Sequence, residues 1–189
     1  MKVWRLKIKS AAEEGVDPRE FCFRNGLLGV GWQPPGSLGK LEGEEGWRTY
    51  REKAERYFKV ENKDRGWWPA LNAVYNKMKV NHLVWARDGD GIYYLGRVRG
   101  NWRYADDGEH GRANIVNVRD CEWHKAGAED AVPGGVARRL HMGRTLQEIH
   151  DPAIEDFSKL RYKDPFQRNP LRGQVAQGGS LQPALRRCL

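Results

Sequence analysis

The sequence predicts an α+β protein: a small, mostly antiparallel β-barrel flanked by helices, with a C-terminal helical extension. Three observations lead there. Short segments alternate apolar and polar residues, longer ones repeat apolar residues three and four apart, and Asp-Gly and Pro-Gly turns punctuate the chain. Its 189 residues suffice for one well-packed domain.

Trp4, Leu6 and Ile8 alternate with Val3, Arg5, Lys7 and Lys9, the signature of a half-buried first strand. Asp17-Pro18 supplies an N-cap and a first-turn proline for a short helix through Phe21, Cys22 and Phe23, ending near Asn25-Gly26. Leu27 to Trp32 reads as a second strand, whose Gly29 and Gly31 admit another backbone or a ligand at close range. After a Gly/Glu-rich loop, the spacing of Tyr50, Ala54 and Tyr57/Phe58 predicts a helix from Trp47 to about Phe58. A second helix, Trp67 to Met78, has Pro69 in its first turn and Leu71, Val74, Tyr75 and Met78 along one stripe.

Asp88-Gly-Asp-Gly91 then joins two strands as a hairpin. The polar turn Asp106 to Gly111 leads into strands at Ala113–Arg119 and Cys121–His124, and with the two early strands these are expected to curl into the barrel. Thr145–His150 and Pro152–Tyr162 are predicted helical. From Lys163 Gly, Gln, Pro and Arg dominate and periodicity is lost, as in a basic flexible tail or linker. The expected organisation is a barrel domain over 1–130 with a helical insertion at about 36–79, a helical extension over 131–162 and the tail over 163–189.

A net charge of +8, from 33 basic and 25 acidic residues, favours a polyanionic partner, because phosphate contacts release condensed counterions. No apolar run approaches the ~18 residues that cross a bilayer. The N-terminus interleaves charged and apolar residues without a signal-peptide stretch, so a cytoplasmic protein without a membrane partner is expected. Cys22, Cys121 and Cys188 are odd in number and widely spaced, which indicates neither a disulfide framework nor a zinc cluster.

The chain holds 8 Trp. Trp85, Trp102 and Tyr104 are interleaved with Arg87, Arg97, Arg99 and Arg103, and aromatic faces beside guanidinium groups suit a ligand both planar and anionic. A modified base must be unstacked and received between aromatic planes to be read in full. Candidate walls are Trp32 at the end of the glycine strand, Trp67 and Trp68 at a helix entrance, and Trp85, Trp102 and Tyr104 on the later strands. Asn72 supplies an amide for the base edge, and the four arginines are candidate phosphate contacts. The competing reading makes these aromatics core: with period 2, Leu83 and Trp85 share one face.

Enzymatic readings have thinner support. Glu61-Asn-Lys63 has the acidic-x-Lys spacing of metal-dependent nucleases, but no matching acidic residue stands on a preceding strand. Cys121 and His124 lack a second ligand pair for zinc, and no phosphate-binding glycine loop ends in Gly-Lys-Ser/Thr. No catalytic residue, metal ligand or cofactor is assigned; a metal-dependent nuclease, or a protein-interaction subunit of a larger complex, is the alternative.

The order of Gly29-Val-Gly-Trp32, a helix carrying Asn72 and Met78-Lys79, and a strand, Asp-Gly turn and Tyr94-Leu-Gly-Arg97 resembles the PUA-like superfamily, in particular its EVE and YTH branches. The resemblance covers roughly residues 1–125. It implies an aromatic cage on a β-barrel that receives a methylated or otherwise modified base, as in specificity modules of prokaryotic modification-dependent restriction systems. Trp32 would be the cage residue and Asn72 the helix amide, with Trp67, Trp68 and Trp85 as looser matches. Modified DNA, ahead of RNA, would be the partner, together with a separate effector protein. Val80-Asn-His82 replaces the Gly-Asp pair usual in EVE domains, and the stretch from Pro34 to Gly66 is a long insertion.

Overall fold

The computed structural model describes residues 1–8, 15–141 and 144–163. Apart from Lys163, the predicted tail lies outside the described residues. The α+β expectation holds: one mixed sheet of eight strands is covered by helices on both faces.

The strands are β1 (Val3–Leu6), β2 (Leu27–Val30), β3 (Lys40–Glu42), β4 (Leu83–Arg87), β5 (Tyr93–Val98), β6 (Arg103–Ala105), β7 (Asn117–Gly127) and β8 (Leu146–Ile149). They lie in the order β3-β6-β7-β5-β4-β1-β8, with β2 also paired to β7. Strand β7 is the hub. Its Asn117–Asp120 segment pairs with β2, and its Cys121–Gly127 segment pairs with β5. The two strands read separately at 113–119 and 121–124 are thus one, and most of Asp106–Gly111 belongs to a short helix instead of a simple turn.

The sheet does not close into a barrel. Both edges of β1 are taken, by β4 in parallel and by β8 in antiparallel register, and β3 and β8 remain as separate ends. Strand β8 occupies residues predicted helical. Leu146 packs into one core and Ile149 into the other, so the pair lies on opposite faces of the sheet. A helix would put residues three apart on one face, whereas a strand separates them. Strand β1 is likewise buried on both faces and not on one.

The helices are α1 (Pro18–Arg24), α2 (Gly43–Ala54), α3 (Trp67–Asn72), α4 (Gly108–Ala113), α5 (Gly134–His141) and α6 (Pro152–Lys163). Asp17 caps α1 by accepting from the Arg19 and Glu20 amides, as the Asp-Pro start predicts. Helices α2 and α3 each run on as π-helix, to Glu61 and Lys77. Together with α1 they enclose the core around Trp4, Leu6, Tyr50, Trp67 and Trp102. On the other face, α5 and α6 cover Val3, Leu83, Trp85, Tyr93 and Leu95. Among the described residues no helix is long and apolar enough to cross a membrane.

Candidate functional site

Strand β2 runs tight against the residues that lead into β7. A Cβ on Gly29 would stand 2.4 Å from Ile115 Cγ2, and one on Gly31 would stand 2.8 Å from the Asn114 carbonyl oxygen. Glycine is required there to admit a neighbouring segment of the same chain. The next residue, Trp32, has φ 67°, a left-handed conformation that an L residue adopts at a cost of roughly 1–2 kcal/mol.

A buried polar network holds that conformation. Asn117, fully buried, donates through Nδ2 to the Gly31 carbonyl at 2.8 Å and to the Tyr50 hydroxyl at 2.9 Å. Tyr50 in turn donates to the Trp32 carbonyl at 2.8 Å, and Trp102 Nε1 donates to Asn117 Oδ1 at 3.2 Å. Burial raises the pKa of the Tyr50 hydroxyl, which stays protonated and able to donate. Both ends of the Asn117 amide are thereby used, and its orientation is fixed. The Trp32 ring is fixed separately: its Nε1 donates to Asp64 Oδ2 at 2.9 Å, and Asp64 Oδ1 accepts from the Gly66 amide at 2.7 Å.

The indole so placed borders a cavity of about 290 Å³. Its back is Gly29, Val30, Gly31 and Ile115, and its apolar walls are Trp32, Phe58 and Ile8. Gln33, Asp64, Asn114 and Thr145 provide the polar lining. That volume lies at the lower end of the ~300–1,000 Å³ typical of ligand clefts, suited to a single planar heterocycle. Among the described residues Asp64 is the only charged one in the lining. The interior therefore suits a neutral or cationic ring with hydrogen-bonding edges, and a phosphate would have to stay outside.

The other candidate aromatics do not join Trp32 at this cavity. Trp67 is 5% exposed and stacks on Phe58 at 6.4 Å between centroids, so it backs the wall without forming it. Trp68 is partly buried, under the Arg51 guanidinium at 4.8 Å. Trp85 is fully buried on the opposite face of the sheet, where its Nε1 donates to Ser158 Oγ at 2.9 Å. The core reading of Trp85 is the correct one. Trp102 and Tyr104 are core as well; the first supports the Trp32 backbone through Asn117, and the second donates to Asp106. Asn72 Oδ1 accepts from Asn76 Nδ2 at 2.8 Å along its own helix and is not among the cavity residues. The cage of several indoles expected from sequence is thus replaced by one indole and one phenyl ring.

The four arginines proposed for phosphate are engaged elsewhere. Arg99 pairs with Glu122, and Arg103 with Asp120 at 2.7 Å. Arg97 lies over the Tyr162 ring at 4.1 Å and Arg87 over Tyr93 at 5.7 Å. None lines the Trp32 cavity; Lys7, Arg65 and Arg144 instead adjoin its residues Ile8, Asp64 and Thr145 along the chain. Glu61 makes an exposed ion pair with Arg56 at 3.5 Å. The Cys22 thiol is pushed up to about 12 by burial, and Cys121 is raised by the same cause, so both are unreactive as nucleophiles.

Sequence reasoning missed Ile8, Phe58, Asp64, Asn114 and Thr145, which converge from five places in the chain. Asp64 carried a weak signal, since an acidic residue two before a glycine suits an Asx-type turn. The others gave none.

No curated protein and no solved structure gives a significant match to this chain. A family model does match residues 4–148, from β1 through most of β8. The chain belongs to the family described as Domain of unknown function (DUF8426).

Proposed function

We propose that this protein is a nucleic-acid-binding module that receives one modified base, methylated or hypermodified, in the Trp32 cavity. It binds without catalysing, in the cytoplasm, and serves prokaryotic defence or restriction together with a separate effector protein. One observation carries the reading: the fold maintains a left-handed Trp32, through a buried network, at the mouth of a cavity of one-ring size. Backbone strain over-determined by its surroundings is a mark of functional sites. Stacking between the Trp32 and Phe58 rings would hold the base, while Gln33, Asn114 and Thr145 would read its edge. The order of elements shared with PUA-like domains supports the same reading, although this sheet is open. The net charge of +8 supplies general attraction to the backbone, so affinity should fall with rising salt.

The test is a binding panel of modified and unmodified oligonucleotides, as DNA and as RNA, at fixed ionic strength. Stacking is worth about 1–3 kcal/mol per base, so Trp32→Ala should weaken binding about tenfold or more with an unchanged far-UV spectrum. Equal affinity for modified and unmodified strands, with Trp32→Ala binding like the parent, would remove the proposal.

A further inference from the structure

A second cavity, of about 730 Å³, opens on the opposite face of the β1–β8 pair, between the first turns of α5 and α6. Arg5 from β1 and Arg138 and Arg139 from α5 line it, across from the apolar side chains of Ile154 and Phe157. Arg5 is only 1% exposed, and its guanidinium reaches β8, where it donates to Gln147 Oε1 at 3.0 Å. Burial holds the Arg5 pKa below its ordinary value, and the positive charges of Arg139 and Arg144 lower it further. Cations gathered closely enough to disfavour one another's charge make a region of positive potential in which an anion relieves the repulsion.

The backbone adds to this field. Helix α5 begins Gly134-Gly135 directly after Pro133, and its first turn contributes Gly135 to the cavity. Amides at a helix start point outward without intrahelical acceptors, and the helix dipole favours negative charge there. A Cβ on Gly135 would come within 2.8 Å of Ile154 Cδ1 and 2.9 Å of an Arg139 guanidinium nitrogen, so the absence of a side chain keeps this junction open. The one carboxylate in the lining, Asp151, lies 3.6 Å from Arg139 and offsets part of the charge. Among the described lining residues, three guanidinium groups against one carboxylate give a net charge of +2, by subtraction.

We propose that this cleft binds a phosphate monoester, with the phosphate between Arg5, Arg138 and Arg139 and the organic part against Phe157 and Ile154. Guanidinium forks match phosphate oxygens in pairs, and the dianion of a monoester answers a +2 lining better than a singly charged diester. The volume leaves room for more than the phosphate itself. The site stands apart from the Trp32 cavity, because the two are lined from opposite faces of the sheet.

Calorimetric titration of the full chain with inorganic phosphate, a nucleoside 5′-monophosphate, and oligonucleotides with 5′-phosphate or 5′-hydroxyl ends tests it. Saturable binding of phosphate at one site is expected, at least tenfold weaker in Arg138→Ala/Arg139→Ala. Arg138 is exposed, so Arg138→Glu tests the charge in a variant whose fold is untouched, and it should weaken binding at least as much. Trp32→Ala should leave phosphate affinity unchanged, so failure of the base-reading proposal would not disturb this one. Tighter binding of the mononucleotide than of phosphate would identify a free nucleotide as the source. Preference for the 5′-phosphorylated strand would identify a nucleic-acid end. Equal binding of the two oligonucleotides would assign the site to a free monoester instead of a strand end. No saturable phosphate binding, or affinity indifferent to Arg138→Glu, would overturn the proposal.

Discussion

Asp106 shows how one side chain organises a loop. It is 9% exposed and accepts from Ser37 Oγ at 2.9 Å, Leu38 N at 2.7 Å, Gly39 N at 3.0 Å and Tyr104 Oη at 3.1 Å. Burial is the largest influence and raises its pKa, yet the four donors together outweigh it and hold the carboxyl below the ordinary 3.8. A carboxyl depressed on folding contributes stability that is present above its unfolded pKa and is lost as pH falls through the folded one. Unfolding by urea should therefore show stability declining below about pH 4, and Asp106→Asn should flatten part of that decline. At pH 7 the amide cannot accept from every donor, so the variant should be less stable by about 1–3 kcal/mol. An unchanged acid limb in Asp106→Asn would contradict this account.

Among the elements, α6 illustrates what pattern can and cannot reveal. Pro152 to Tyr162 is legible as a helix from its apolar spacing, and so are α1 from its Asp-Pro cap and the β4–β5 hairpin from its Asp-Gly turn. These signals are local. Strand β8 was not legible, because its four residues become a strand only by pairing with Val3–Leu6 at the far end of the sequence. Nor does the sequence say that α6 supplies a partner for Trp85. Ser158 accepts from the indole Nε1 at 2.9 Å and donates to the Ile154 carbonyl at 2.6 Å, fully buried. Ser158→Ala should therefore cost about 1–3 kcal/mol in chemical denaturation, by leaving a buried N–H without its acceptor. A neutral substitution would mean that α6 contributes packing alone.

Across the whole molecule, the sheet separates two cores, one with five buried tryptophans and the other with Trp85. That division explains why composition misled about the site. An excess of Trp suggested a cage, but Trp4, Trp47, Trp67, Trp85, Trp102 and Trp123 are each 6% exposed or less. The informative signal was Gly29-Val-Gly31 before Trp32, which marks a strand end pressed against its neighbour. The rest of the cavity depends on which distant loops meet there, and single-chain periodicity does not encode that.

The left-handed backbone at position 32 sets two demands against each other. Glycine reaches φ 67° without steric penalty, so Trp32→Gly should unfold at a higher denaturant concentration than Trp32→Ala, by about 1 kcal/mol, while binding a base no better. Substitution at most strand ends ranks the two in reverse. Glycine would ease the backbone only by giving up the indole's bond to Asp64 and its packing on the core, so conformational comfort and side-chain anchorage cannot both be had at this one position.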